Sequence, residues 1–259
     1  MLFVLLPDSA GAQDKHYPIG QVAALEGQAY YVSPDKKKNK IRVSDPIYLN
    51  SVVQTAADSK ILIIFIDDTQ IILAENTELL IDKYIFDPYD PDENEADFSI
   101  IEGSFHWFSG MISKRERPKV KIKTAVGSIG IRGTKFWAGR IDGGYGVLVT
   151  EGLVGFNGSW GTAEIPGGKG VFIPGSAKIP DEIKIWPKVK KDRALITTTF
   201  TQTRNLEQQI KQLRKENVTK RHDYRGKMFP YKQNPYPPGY RPDPDDFFSE
   251  EFQELRDRQ

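Results

Sequence analysis

From residue 19 to about residue 185 the apolar positions come in short runs or strict alternation. Lys60 to Phe65 and Ile71 to Leu73 are nearly continuous apolar runs on either side of Asp67-Asp68-Thr69, a pattern that predicts a hairpin buried on both faces. Lys119-Val120-Lys121-Ile122-Lys123 alternates strictly, which predicts a strand with one wet face. Tyr145 to Val149 and Leu153 to Phe156 predict two further strands flanking a turn at Glu151-Gly152. Of the 22 glycines, 19 fall between residues 19 and 175, and the runs between them are rich in Val, Ile, Thr, Tyr, Phe and Trp. That is the vocabulary of short strands and tight turns. No helical period longer than two turns occurs before residue 190. The pattern predicts an all-β fold class, a sandwich or roll of short strands.

A loose recurrence runs through this region. Glu-Gly opens an apolar or aromatic run three times, at Glu26-Gly27, Glu102-Gly103 and Glu151-Gly152, and Thr55-Ala56-Ala57-Asp58-Ser59 is echoed by Thr124-Ala125-Val126-Gly127-Ser128. Gly27 precedes Thr55 by 28 residues and Gly103 precedes Thr124 by 21. Unequal spacing argues against a regular solenoid and suits one unit used twice. The recurring Glu-Gly context points to turn geometry at Glu102 and Glu151 rather than to catalysis.

The two ends read differently. Met1-Leu2-Phe3-Val4-Leu5-Leu6 followed by Ala10-Gly11-Ala12 is the pattern of the tail of a signal peptide with an Ala-x-Ala cleavage site, so export to the periplasm or cell envelope is expected. Asp87 to Asp97, acidic and Pro-containing, is expected to be a surface loop. Beyond Ile185 glycine nearly disappears. Thr199 and Gln202 fit a capping box, Glu207–Lys211 and Glu216–Lys220 are i,i+4 pairs, and Leu206, Ile210 and Leu213 form a narrow apolar stripe. One helix of about 18 residues is expected, its stripe packed on the β domain or on a second copy of the chain, and prolines from Pro230 to Pro244 make the rest a Pro-rich, disordered tail. The expected division is a leader remnant (1–12), a β domain (13–185), a linker and basic helix (186–222) and the tail (223–259). Residues after about 222 are expected to be dispensable for folding, with early proteolysis at Arg221, Arg225 or Lys227.

Composition narrows the chemistry. The chain has 259 residues, 39% hydrophobic and 27% charged, with a net charge of +1, as an ordinary folded protein has. No stretch of 18 apolar residues is present, so no transmembrane helix is expected. Cysteine is absent, which excludes disulfides, thiolate metal sites and Cys nucleophiles. His16, His106 and His222 are widely separated and lack metal-ligand spacing; His106 alternates against the aromatics at 105 and 107. Asp90, Asp92 and Asn94 imitate the opening of a Ca²⁺ loop, but Glu95 stands where glycine is required. Gly127 to Thr134 is Gly-rich with a cation yet matches no dinucleotide or P-loop pattern, and is expected to be a bulged strand with a bulge or positive φ at Gly133. No cofactor, no metal and no enzymatic activity are expected. From Lys184 to Lys232, 14 Lys and Arg face 4 Asp and Glu, which suits an anionic partner, though export argues against nucleic acid. A carbohydrate-binding module would use Trp107, Trp137 or Trp160 as stacking platforms; core packing is the commoner use of such residues.

The pieces from Gly20 to Val171 resemble the FecR domain family. The elements come in order: Gly20-Gln21-Val22 with Glu26-Gly27-Gln28-Ala29; Val53-Gln54-Thr55 with Ser59, Leu62 and Phe65; Asp68 to Leu73, then Leu79; Glu102-Gly103-Ser104-Phe105; Val120 to Ala125 leading to Ile131-Arg132-Gly133-Thr134-Lys135-Phe136; and Val147 to Val154. Asn50-Ser51 and Asp68-Thr69 depart from the family's Gly-Asp and Asp-Gly at two turns. The resemblance implies a domain on the outer side of the cytoplasmic membrane, with Thr124, Arg132, Gly133, Thr134, Phe136, Glu151 and Gly152 as structural motif residues. In this reading Gly133 allows close backbone approach and Thr134 starts the next strand. Well-known members relay a receptor signal to a sigma factor through a cytosolic segment and a membrane helix. With 18 residues before Ile19, that role is not carried over, although a longer upstream start would favour it. The expectation is an exported, non-enzymatic binding or scaffold module whose partner is an envelope protein or a glycan.

Overall fold

The computed structural model describes residues 17–32, 38–175, 179–201 and 205–228. The expected leader, and the expected tail from residue 229 on, lie outside them. Within them fifteen strands form one continuous sheet that folds over on itself. One half contains β2 (Ala29–Val32), β3 (Lys38–Lys40), β5 (Val52–Thr55), β8 (Glu78–Ile85), β9 (Glu95–Ile100) and β11 (Val120–Thr124). The other contains β1 (Gly20–Glu26), β4 (Pro46–Ile47), β6 (Lys60–Phe65), β7 (Gln70–Leu73) and β10 (Ser104–Phe108). Two strands belong to both halves. β12 (Gly127–Ile141) pairs β11 through its first residues and β10 through Lys135–Gly139, while β13 (Gly144–Gly158) follows β12 along its length. β14 (Gly161–Pro166) then extends the first half, and β15 (Gly170–Pro174) the second.

The corner of this folded sheet is the register shift between Arg132 and Phe136 on β12, opposite Glu151 on β13. A bulge bends the strand and raises its twist. Beyond it the halves face one another across a single core. Phe65 on one half meets Tyr84 and Phe98 on the other, each with 5.4 Å between ring centroids, and Phe98 meets Trp107 at 5.3 Å.

Two helices cover the outer face of the second half. α2 (Leu206–Met228) lays Leu206, Ile210 and Leu213 on Ala23, Leu62 and Ile64, while α1 (Lys188–Ile196) brings Ala194, with Trp186 just before it, onto Trp137 and Leu148. The predicted hairpin buried on both faces is β6–β7, with the core beneath and α2 above. The wet-faced strand is β11, where buried and exposed residues alternate.

Five expectations need correction. Glu151-Gly152 is a bulge within one unbroken strand, not a turn between two, because β12 pairs it on both sides. The C-terminal region has two helices rather than one, and α2 runs over 23 residues; α1 carries too little helical periodicity to stand out in sequence. Thr199 donates its hydroxyl to the Leu195 carbonyl at 2.9 Å, so it closes α1 instead of capping α2; Gln202 lies outside the described residues. The stripe of Leu206, Ile210 and Leu213 is used within the chain, which takes away the surface expected for self-association. Helix α2 continues past residue 222, and of the three expected cleavage sites Arg221 is an anchor rather than an exposed residue, while the side chains of Arg225 and Lys227 lie outside the described ones. Arg221 is 9% exposed, pairs with Asp68 at 2.6 Å, and donates through Nε to the Ile66 carbonyl.

Candidate functional site

The three Glu-Gly pairs mark one structural event. Each stands where the chain passes between halves of the sheet: Gly27 between β1 and β2, Gly103 between β9 and β10, Gly152 at the corner of β13, with φ of +76°, +88° and +79°. The glutamates share no chemistry. Glu26 accepts hydrogen bonds from the Thr201 amide and hydroxyl at 2.7 and 2.8 Å. Glu151 pairs with Lys135 at 2.8 Å, and Glu102 is exposed. The recurrence is a recurrence of turns.

The other motif residues serve the same corner. Gly133 combines a bulge with a φ of +56°, as expected. Close approach belongs to its partner: a Cβ on Gly133 would meet only the Ser113 carbonyl oxygen at 4.0 Å, whereas one on Gly152 would lie 2.1 Å from the Gly133 carbonyl oxygen. Thr134 does not start a strand, since β12 is continuous through it; its amide donates to Ser109 Oγ at 2.8 Å, holding β12 beside the segment after β10. Phe136 is fully buried. Thr124 ends β11 and donates to the Gly127 carbonyl at 2.7 Å, closing the β11–β12 turn. Arg132 is exposed.

His106 lies under the link between α1 and α2. It stacks on Phe108 at 4.4 Å, and its Nδ1 stands 3.5 Å from the Thr198 hydroxyl. Burial, aided by the nearby Lys135 charge, pushes its pKa down to about 4. Trp107 and Trp137 are fully buried, and Trp160 is stacked flat on Phe156 at 5.6 Å. The two core tryptophans offer no platform to a sugar.

A polar group that sequence reasoning missed is Asp67. It is fully buried in the β6–β7 turn. Its carboxylate accepts from Tyr84 Oη at 2.7 Å, from the Thr69 amide and hydroxyl at 3.0 and 2.7 Å, and from the Ile112 amide at 3.2 Å. Burial raises its pKa, and the Thr69, Tyr84 and Ile112 donors oppose the rise. Two adjacent aspartates inside an apolar hairpin were the available signal. With all four donors engaged, Asp67 is a tie between β6, β8 and the segment after β10.

A broad depression follows the corners. A groove of about 1010 Å³ runs past the β1–β2, β5–β6, β7–β8 and β9–β10 links, which contribute Glu26, Asp58, Glu75 and Glu102, with Lys60 and Arg140 alongside. Four carboxylates against two cations favour a positively charged ligand group. Among the described residues no group of His, Asp and Glu is placed to hold a metal ion, and no helix is long and apolar enough to cross a membrane.

The elements that build this corner, from Thr55 to Gly152, fall inside one family match. Residues 51–155 match the FecR protein family. The FecR match spans less than half of the chain and is narrower than the resemblance from Gly20 to Val171. It contains every motif residue from Thr124 to Gly152, and leaves out β1 to β4, β14, β15 and both helices. Two crystal structures of a candidate anti-sigma factor from Parabacteroides distasonis are similar at 13% identity, with TM-scores of 0.44 and 0.42. Each similarity covers 52% of this chain and 59% of that one. Comparison with curated proteins gives no match.

Proposed function

We propose that this chain is a non-enzymatic FecR-type binding or scaffold module of the bacterial cell envelope, acting after export. The observation that carries the reading is the use made of the motif in the FecR-matched segment. Thr124, Gly133, Thr134, Phe136 and Gly152 are engaged in closing a turn, bending β12 and β13, and filling the core. A motif spent on architecture supports a module whose function lies in its surfaces, and the groove along the interlayer corners is one such surface.

Two measurements test the reading. The natural gene product, fused to a reporter active only outside the cytoplasm, is expected to give an active reporter; an inactive one would overturn export. Purified protein incubated with cell-wall glycans and peptides is expected to leave them intact. Hydrolysis abolished by a single carboxylate substitution, at Glu102 for example, would make the protein an enzyme and end the proposal.

A further inference from the structure

Helix α1 turns Ala194 toward the sheet and leaves large apolar side chains on its outer side. Val189 is 70% exposed and Ile196 68%, and the two stand seven residues apart on one stripe of the helix. Ile185, just before the helix, is 68% exposed. Apolar side chains gathered in this way mark an interaction surface.

Charge runs along this face in a definite order. From Lys184 to Arg193 there are five cations and one carboxylate, Asp192. Lys188 pairs with Asp192 at 2.6 Å, while Lys190 and Arg193 share Asp142 at 3.4 and 2.8 Å. Lys184 and Lys191 have no ion pair among the described residues. At the other end Ile196 and Thr197 border the groove that holds Glu26, Asp58, Glu75 and Glu102. The face is cationic where α1 begins and anionic just past its end.

Outside the described residues, the sequence contains a complement to this face. Phe248 and Leu255 repeat the seven-residue separation of Val189 and Ile196. Asp245, Asp246, Glu250 and Glu251 cluster around Phe248, and Arg256 and Arg258 follow Leu255 with Asp257 between them. The charge order is the reverse of that on the face.

We propose that residues 245–258 dock on the outer face of α1 of the same chain and run in the same direction as the helix. Phe248 meets Val189 and Leu255 meets Ile196, the acids lie along Lys184, Lys188 and Lys191, and the two arginines reach the carboxylates of the groove. Helix α2 carries the chain about 35 Å along the fold at 1.5 Å per residue. The nineteen residues 229–247 can span up to about 60 Å, enough to return. A tether of this kind gives an effective concentration on the order of millimolar, so a small interface suffices. Two other occupants fit less well. A second copy of α1 placed about a two-fold axis would bring like charges together, and an anionic lipid surface would meet the groove carboxylates as well as the lysines.

The test uses the full chain, isotope-labelled, with a nitroxide on Ser249→Cys or Gln259→Cys. No native cysteine competes for the label. The nitroxide at 249 is expected to broaden the amide signals of Lys188 to Asp192 beyond detection. The one at 259 is expected to do the same to Gly103 and Thr201, which line the groove. Val189→Asp with Ile196→Asp should restore full signal height at the parent's Tm, because both side chains are exposed. Glu250→Lys with Glu251→Lys should restore it with the described fold untouched. Undiminished α1 signals in the parent would overturn the proposal, as would broadening that survives both pairs of substitutions. So would the reversed pattern, with 249 broadening the groove and 259 the start of α1. Broadening seen when nitroxide-bearing chains are mixed with labelled chains that lack it would assign the face to a second copy. Sedimentation with phosphatidylglycerol vesicles, lost in the Val189→Asp, Ile196→Asp variant, would assign it to a membrane. Either result would overturn docking within the chain.

Discussion

Two glycines face each other across the corner of the sheet, and substitution should separate their roles. Gly152→Ala places a Cβ 2.1 Å from the Gly133 carbonyl oxygen and 3.0 Å from its carbonyl carbon, at a φ of +79°. The atoms struck are backbone in a paired strand, so relief requires the bulge itself to move. Left-handed backbone costs a non-glycine residue about 1–2 kcal/mol, and overpacking adds about 1–3 kcal/mol, for a loss of about 2–5 kcal/mol. Gly133→Ala has the φ of +56° but its Cβ meets nothing nearer than 4.0 Å, so only the backbone part applies, about 1–2 kcal/mol. Gly130→Ala is the control, with its nearest contact at 3.8 Å and no positive φ; its expected change is within about 0.5 kcal/mol. Urea unfolding followed by tryptophan fluorescence reports all three, since Trp107 and Trp137 are buried. On heating, each kcal/mol lowers the Tm by about 2–4 °C in a domain of this size. If Gly133→Ala loses as much as Gly152→Ala, the close approach has been assigned to the wrong glycine.

Further outcomes follow from the packing of the second half and its outer face. His106 titrates at about 6.5 unfolded but at about 4 in the fold, so the unfolded chain takes up a proton first and stability is lost as pH falls through that window, by about 3 kcal/mol in full. His106→Gln should flatten urea stability between pH 7 and pH 4 relative to the parent; parallel curves would place the imidazole in water. Replacing Leu206, Ile210 and Leu213 with Ala removes the half-buried stripe of α2 and should cost about 3 kcal/mol. Trypsin should then cut faster at Lys211 and Arg214, whereas equal rates would mean that α2 is not docked. Tyr84→Phe takes one donor from the buried Asp67 carboxylate and should cost about 1.5–3 kcal/mol; a neutral result in thermal melts would show that water replaces the hydroxyl.

Sequence period carried much of this architecture. Lys60 to Phe65 announced a doubly covered strand because alternation vanishes when both faces are dry, and Val120 to Thr124 announced one wet face because alternation returns. Glu26-Gly27, Glu102-Gly103 and Glu151-Gly152 were legible as turns, but not as passages between layers, since a positive φ says nothing of which strands lie on either side. The unbroken run of β13 through Gly152 was hidden for the same reason: a bulge inside a strand and a turn between strands use the same residue. Helix α1 escaped because its buried contacts reduce to Ala194 and the preceding Trp186. The groove could not be read in advance, since Glu26, Asp58, Glu75 and Glu102 are far apart in sequence and meet only through the pairing order of the strands.

That β12 and β13 are common to both halves bears on how the domain forms and opens. Their link is short, with φ of +52° at Asp142 and +75° at Gly143, the left-handed pair of a tight hairpin turn. Pairing can therefore zip from the tip at little cost in loop entropy, and the finished hairpin presents edges for β10 and β11 on one side and for β14 and β15 on the other. Each half then grows on the same seed, and neither can detach without unzipping the strands that hold the other. Amide hydrogens in the middle of β12 and β13 should exchange only when the whole domain unfolds, while those of the marginal strands β3 and β4 exchange through local opening.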